Sequence, residues 1–95
     1  MARPEHIFVF TYDVVKDGAR ARLATLLDEH MDRVQQSVFE ARMPTDVARR
    51  LATKAARLLG PDDSLRVYCI TEAGRQASQV LGRGQLPEAA DFWIV

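Results

Sequence analysis

Residues 6–12, HIFVFTY, carry two interleaved apolar sets, Phe8, Phe10 and Tyr12 against Ile7, Val9 and Thr11. Successive side chains of a strand point to opposite faces, so this strand is apolar on both sides. An ordinary half-exposed antiparallel strand alternates apolar with polar residues instead. A fold built around this strand therefore needs cover on both faces of its sheet. Asp13 follows directly and ends the strand on an acid.

The period then changes. Ala19, Leu23, Leu26, Leu27 and His30 recur at helical spacing, with Arg22, Thr25 and Glu29 on the other face. This predicts a helix over about 17–30, with Asp17 as N-cap and His30 as a packing or C-capping residue. The stretch RVQQSVFEA, continued to Met43, reads as one extended segment over about 33–43, with polar Gln35, Gln36 and Ser37 in its middle. A second helix follows, capped by Thr45, with Val47, Leu51, Ala55 and Leu58 as its buried stripe and Gly60–Pro61 as its stop. SLRVYCIT, 64–71, is a further strand with Leu65, Val67 and Cys69 on one side, which makes Cys69 a small core residue. Residues 75–82 suggest another short strand, and a turn-rich segment leads to DFWIV at 91–95.

The order β-α-β-(β)-α-β fits an α+β sandwich, with two helices on one face of an antiparallel sheet and a ferredoxin-like fold as the natural candidate. Two helices cannot cover both faces, so the second face of the sheet is expected to meet another subunit.

At 95 residues and 47% hydrophobic, the chain suffices for one domain over 1–95 with one core. It shows no membrane-span window and no signal-peptide order, and its single cysteine, Cys69, has no disulfide partner. A reducing, cytoplasmic setting is the expectation. The 13 basic residues balance the 13 acidic ones, which disfavours nucleic-acid binding through bulk charge but permits a local basic patch.

Taken in order, VFTYD closing the first strand, RVQQSVFEA and DDSLRVYCI resemble the CRISPR-associated protein 2 family, over His6 to Val95. The resemblance implies a ferredoxin-like homodimer formed through the sheets. It implies spacer acquisition with the CRISPR-associated protein 1 integrase, and in several members metal-dependent cleavage of RNA or DNA. On this footing Asp13 is the candidate catalytic and magnesium-binding residue, in a site that needs two copies of Asp13 from a symmetric dimer. Tyr12, Lys16, Arg20, Arg22, Arg33, Ser37 and Phe39 are the candidate nucleic-acid contacts. Gln35 and Ser37 are expected on a sheet face covered by the twofold partner, unless they belong to an edge strand facing water. The tail from about residue 83, ending in Phe92, Trp93, Ile94 and Val95, is expected to cross to the partner's sheet. The competing reading is a ferredoxin-like regulatory or protein-interaction domain without nuclease activity.

Overall fold

The computed structural model describes residues 3–88. Strand β1 (Glu5–Asp13) leads into helix α1 (Asp17–Asp28), the hairpin β2 (Asp32–Gln35) and β3 (Val38–Pro44), helix α2 (Thr45–Ala56), strand β4 (Ser64–Ile70) and a short helix α3 (Glu72–Ala77). The four strands form one antiparallel sheet in the order β2-β3-β1-β4. The β-α-β-β-α-β order inferred from the sequence is observed, and the strand apolar on both faces lies inside the sheet.

The extended segment over 33–43 is instead a hairpin. Gln36 and Ser37 are its turn, and the register slips between Arg33 and Gln35. The backbone groups of such a turn need partners that no sheet ladder supplies. Here the Tyr12 amide donates to the Ser37 carbonyl at 3.1 Å. The polar residues thus mark a reversal rather than a polar strip within a strand, and Gln35 lies exposed on the edge strand β2.

The core forms between the sheet and the two long helices. Phe8, Phe10 and Tyr12 of β1 meet Phe39 and Met43 of β3, with Leu23 and Leu27 of α1 and Ala48, Leu51 and Ala55 of α2 packed over them. Burial of these side chains is the main stabilising term, roughly 1.5–3 kcal/mol for each large one. The α2 stripe is shifted from expectation, since Ala48 is buried while Val47 and Leu58 are partly covered. Neither helix has a side-chain N-cap. Lys16 and Pro44 hold the cap positions, and Asp17 and Thr45 are the first helical residues. His30 lies beyond the end of α1 and is exposed, so it does not pack in the core.

Strand β4 shows what edge position does to a correct pattern. Leu65, Val67 and Cys69 pair with Tyr12, Phe10 and Phe8 and so share the helix-facing side. The helices sit over the centre of the sheet, however, and leave Val67 and Cys69 exposed. The proposed strand over 75–82 is not formed. Its first residues belong to α3, capped where Thr71 Oγ1 accepts the Gly74 amide at 3.3 Å. A Cβ on Gly74 would lie 3.1 Å from Ile70 Cγ2, so glycine here permits close approach of α3 to the sheet. Residues 84–88 run beside Arg42, Glu72 and Arg75 of the same chain. Phe92, Trp93, Ile94 and Val95 lie outside the described residues.

One pairing in the hairpin works against the fold. Asp32 and Glu40 stand directly opposite each other on β2 and β3. Partial burial, and then the Asp32 charge, push the Glu40 carboxyl above its ordinary 4.5. A carboxyl with a raised folded pKa is a liability while ionised, and the liability fades as pH falls through that pKa. Glu40→Gln is therefore expected to stabilise the protein at neutral pH by about 0.5 kcal/mol, the scale of a like-charge cross-strand pair. Urea midpoints should show the advantage over wild type shrinking on acidification. An equal advantage at acid and neutral pH would trace it to packing instead.

Candidate nucleic-acid interface at the end of the first strand

Asp13 is the last residue of β1, opposite Ser64 of β4, and its carboxylate is exposed. The chain leaves it through a three-residue loop, 14–16, that is held firmly. The Val14 side chain is buried, and its carbonyl accepts Arg20 Nη1 at 2.9 Å. The Val15 amide donates to Asp63 Oδ1 at 2.8 Å, and Asp63 Oδ2 accepts the Gly60 amide at 2.7 Å. These two backbone donors, Val15 first, hold the Asp63 carboxyl below the usual carboxylate range, and the nearby Lys16 charge acts in the same direction.

The hairpin turn stands beside this loop. Three donors converge on one acceptor there, the Gln36 carbonyl: Tyr12 Oη at 3.0 Å, Arg33 Nε at 3.1 Å and Arg33 Nη2 at 2.6 Å. The Arg33 guanidinium carbon lies 5.4 Å from the centre of the Phe39 ring, and Tyr12 stacks on that ring at 6.2 Å. The Tyr-Asp pair and the RVQQSVF stretch are thus one structural unit. Its rings and its arginine fix the turn.

The candidate residues divide between two sides of α1, because residues two apart on a helix point in nearly opposite directions, about 200° around the axis. Arg20, Arg33, Gln36 and Ser37 line one groove, together with Asp17 and Thr25. Asp17 pairs with Arg20 at its mouth. Lys16 and Arg22 line a second hollow with Val15, Asp62 and Asp63. Tyr12 and Phe39 face neither. Tyr12 is 5% exposed and Phe39 0%, so neither ring offers surface for a base to stack on. That corrects their reading as contact residues, since their part is to hold Arg33 and the turn.

A divalent cation of the magnesium kind takes several hard oxygen ligands. Asp13 supplies one, and no group of three or more Asp, Glu, His or Cys residues able to hold a metal exists among the described residues. One chain alone therefore offers part of such a site. Sequence reasoning also missed Asp63. The acid follows a Gly-Pro stop and precedes a strand, a position that signals a turn but not a bond to a loop 48 residues earlier. The Gln36 acceptor is a backbone atom and leaves no side-chain signal.

The strand order β2-β3-β1-β4 with both long helices on one face, and an acid at the end of the central strand, define a ferredoxin-like α+β protein with a basic groove beside that acid. The family described as CRISPR associated protein Cas2 matches residues 6–77. The chain is 39% identical over 88 residues to a CRISPR-associated endoribonuclease Cas2 of Synechocystis, covering 88% of this chain and 92% of that one. It is 36% identical over 92 residues to a CRISPR-associated endonuclease Cas2 of Thermus thermophilus, covering 96% and 98%. Among solved structures, a hypothetical protein from Thermus thermophilus superposes with a TM-score of 0.74 at 37% identity, covering 90% of this chain and all of that one. A chain of a partial Cas6-RT-Cas1–Cas2 complex superposes at 0.72 with 30% identity, covering 90% and 98%. The chain belongs to the CRISPR-associated protein Cas2 family.

Proposed function

We propose that this chain is a homodimeric, cytoplasmic, nucleic-acid-binding subunit of CRISPR spacer acquisition. It works beside the Cas1 integrase, and Asp13 supports divalent-cation-dependent cleavage of phosphodiesters. The observation that carries the reading is the groove in which Arg20, Arg33 and Ser37 meet next to the strand end bearing Asp13. Arg33 is held at one edge by Gln36 and stacked on Phe39, while no described residue accepts from its Nη1. A pre-positioned guanidinium suits a phosphate oxygen better than a mobile lysine does. The relatives named as nucleases, and the similar chain within a Cas1–Cas2 complex, support the same assignment.

Magnesium is the natural cation, and Asp13 of two copies related by a twofold axis would hold it. When bound, it supplies charge stabilisation for the phosphodiester and a more acidic water. This chain's own residues position the carboxylate and the phosphates around it. The dimer would form through the sheets, with Gln35 and the tail residues Phe92, Trp93, Ile94 and Val95 at its interface.

A second reading, a protein-interaction domain without nuclease activity, is favoured by the exposed Val67 and Tyr68 on the edge strand β4. Salt dependence separates the two. Each of Arg20, Arg22 and Arg33 that contacts a phosphate should, on removal, lower the slope of log affinity against log salt by about 0.9 on duplex DNA. Affinity should fall alike for every sequence tried. An unchanged slope in the triple alanine variant would make these arginines an ordinary solvated face and favour the second reading.

A further inference from the structure

The bonds to Arg20 and Asp63 meet on one peptide unit. The carbonyl of Val14 and the amide of Val15 belong to the same plane, which is trans, so its oxygen and its hydrogen point in opposite directions. Arg20 holds the oxygen at 2.9 Å and Asp63 holds the N–H at 2.8 Å. A peptide gripped at one end still rocks about its flanking bonds. Gripped at both ends by charged groups it cannot, because charge-assisted hydrogen bonds are the strong ones. This peptide begins one residue after Asp13. Its orientation therefore sets the direction in which the chain leaves the strand, and with it the backbone that carries the Asp13 carboxylate.

We infer that Asp63 is a positioning residue for Asp13, acting through the Val14–Val15 peptide, and that this clamp sets the affinity of Asp13 for a divalent cation. The inference rests on the reading of Asp13 given above. Asp63 is itself held from behind. Its own amide closes a turn onto the Gly60 carbonyl at 3.2 Å, and its Oδ2 accepts the Gly60 amide. A Cβ at position 60 would lie 3.3 Å from that Oδ2, tighter than ordinary contact. Glycine at 60 thus lets the carboxylate sit close to the turn while its other oxygen reaches Val15. The α2–β4 turn in this way reaches across to the β1–α1 loop, and Asp63 is the bridge.

The clamp is tested on the full chain by amide hydrogen exchange and by titration with manganese, a paramagnetic stand-in for magnesium. In Asp63→Ala the Val15 amide should exchange at least tenfold faster. The manganese concentration that half-broadens the amide signals around Asp13 should rise several-fold. Asp63→Asn keeps one acceptor oxygen and should fall between wild type and Asp63→Ala in both readouts. Gly60→Ala, which leaves Asp63 in place but crowds it, should shift both in the same direction by less. Unchanged Val15 exchange in a folded Asp63→Ala protein overturns the clamp. Faster exchange with an unchanged manganese midpoint overturns the positioning role and makes Asp63 a brace of its own turn. If Asp13→Asn broadens like wild type, the cation reading of Asp13 has failed and the positioning role fails with it. That failure is recognisable because it appears before any Asp63 variant is compared.

Discussion

Asp13→Asn is expected to lower magnesium-dependent cleavage of RNA or DNA by about a hundredfold or more, the scale on which one charge-stabilising group acts in an active site. The protein should otherwise stay as it is. Asp13 is exposed at the end of β1, and no side-chain hydrogen bond or ion pair among the described residues depends on its carboxylate. Asparagine is nearly the same shape and keeps one oxygen, but it loses the negative charge that a hard cation needs. The melting curve and the sedimentation coefficient should match wild type. Cleavage by the pure variant at the wild-type rate, with contaminating nuclease excluded, would sink the enzymatic reading. Nucleic-acid binding in the groove lined by Arg20 and Arg33 would be untouched by that result, because it rests on different residues.

Much of this fold was legible because its central strand is unusual. Phe8, Phe10 and Tyr12 alternating with Ile7, Val9 and Thr11 demanded a covered inner strand, and β1 pairs with both β3 and β4. The helices were legible through their apolar stripes, to within a residue or two of their ends. What failed was the reading of polar residues within apparent strands. Gln36 and Ser37 sit between two β-prone runs, and periodicity alone cannot tell a polar strip from a turn that lacks glycine and proline. Cys69 and Val67 were placed on the right face but not at the right depth, since edge position follows from strand order and not from local sequence. At the site, Asp13 and the groove residues Arg20, Arg33 and Ser37 were named from sequence. Their division from Lys16 and Arg22 followed only from the path of α1. Asp63 was missed because its partner is a backbone amide in a distant loop.

Phe39→Ala is expected to cost about 3–5 kcal/mol of stability, the usual range for removing a buried aromatic ring. A small domain has only about 5–15 kcal/mol to lose, so the variant should be close to unfolding at ambient temperature. The reason lies in what the ring supports. Phe39 is fully buried opposite Phe10, and it carries Tyr12 on one side and the Arg33 guanidinium within cation–π range. Removing it leaves a cavity and also releases two of the side chains that bind the Gln36 carbonyl. Phe39→Leu separates this structural part from any direct contact. Leucine fills most of the space without a π-face, so the loss of stability should be smaller, roughly 1–2 kcal/mol. Binding measured per folded molecule should fall no more than the loosened Arg33 dictates. A base stacked on Phe39 would instead contribute about 1–3 kcal/mol of binding energy that leucine cannot supply. Urea unfolding paired with binding titrations, both at a temperature where the leucine variant is folded, decides the matter. Near-normal stability of Phe39→Ala, or a loss of binding in Phe39→Leu larger than that in Arg33→Ala, would return the ring to the ligand surface.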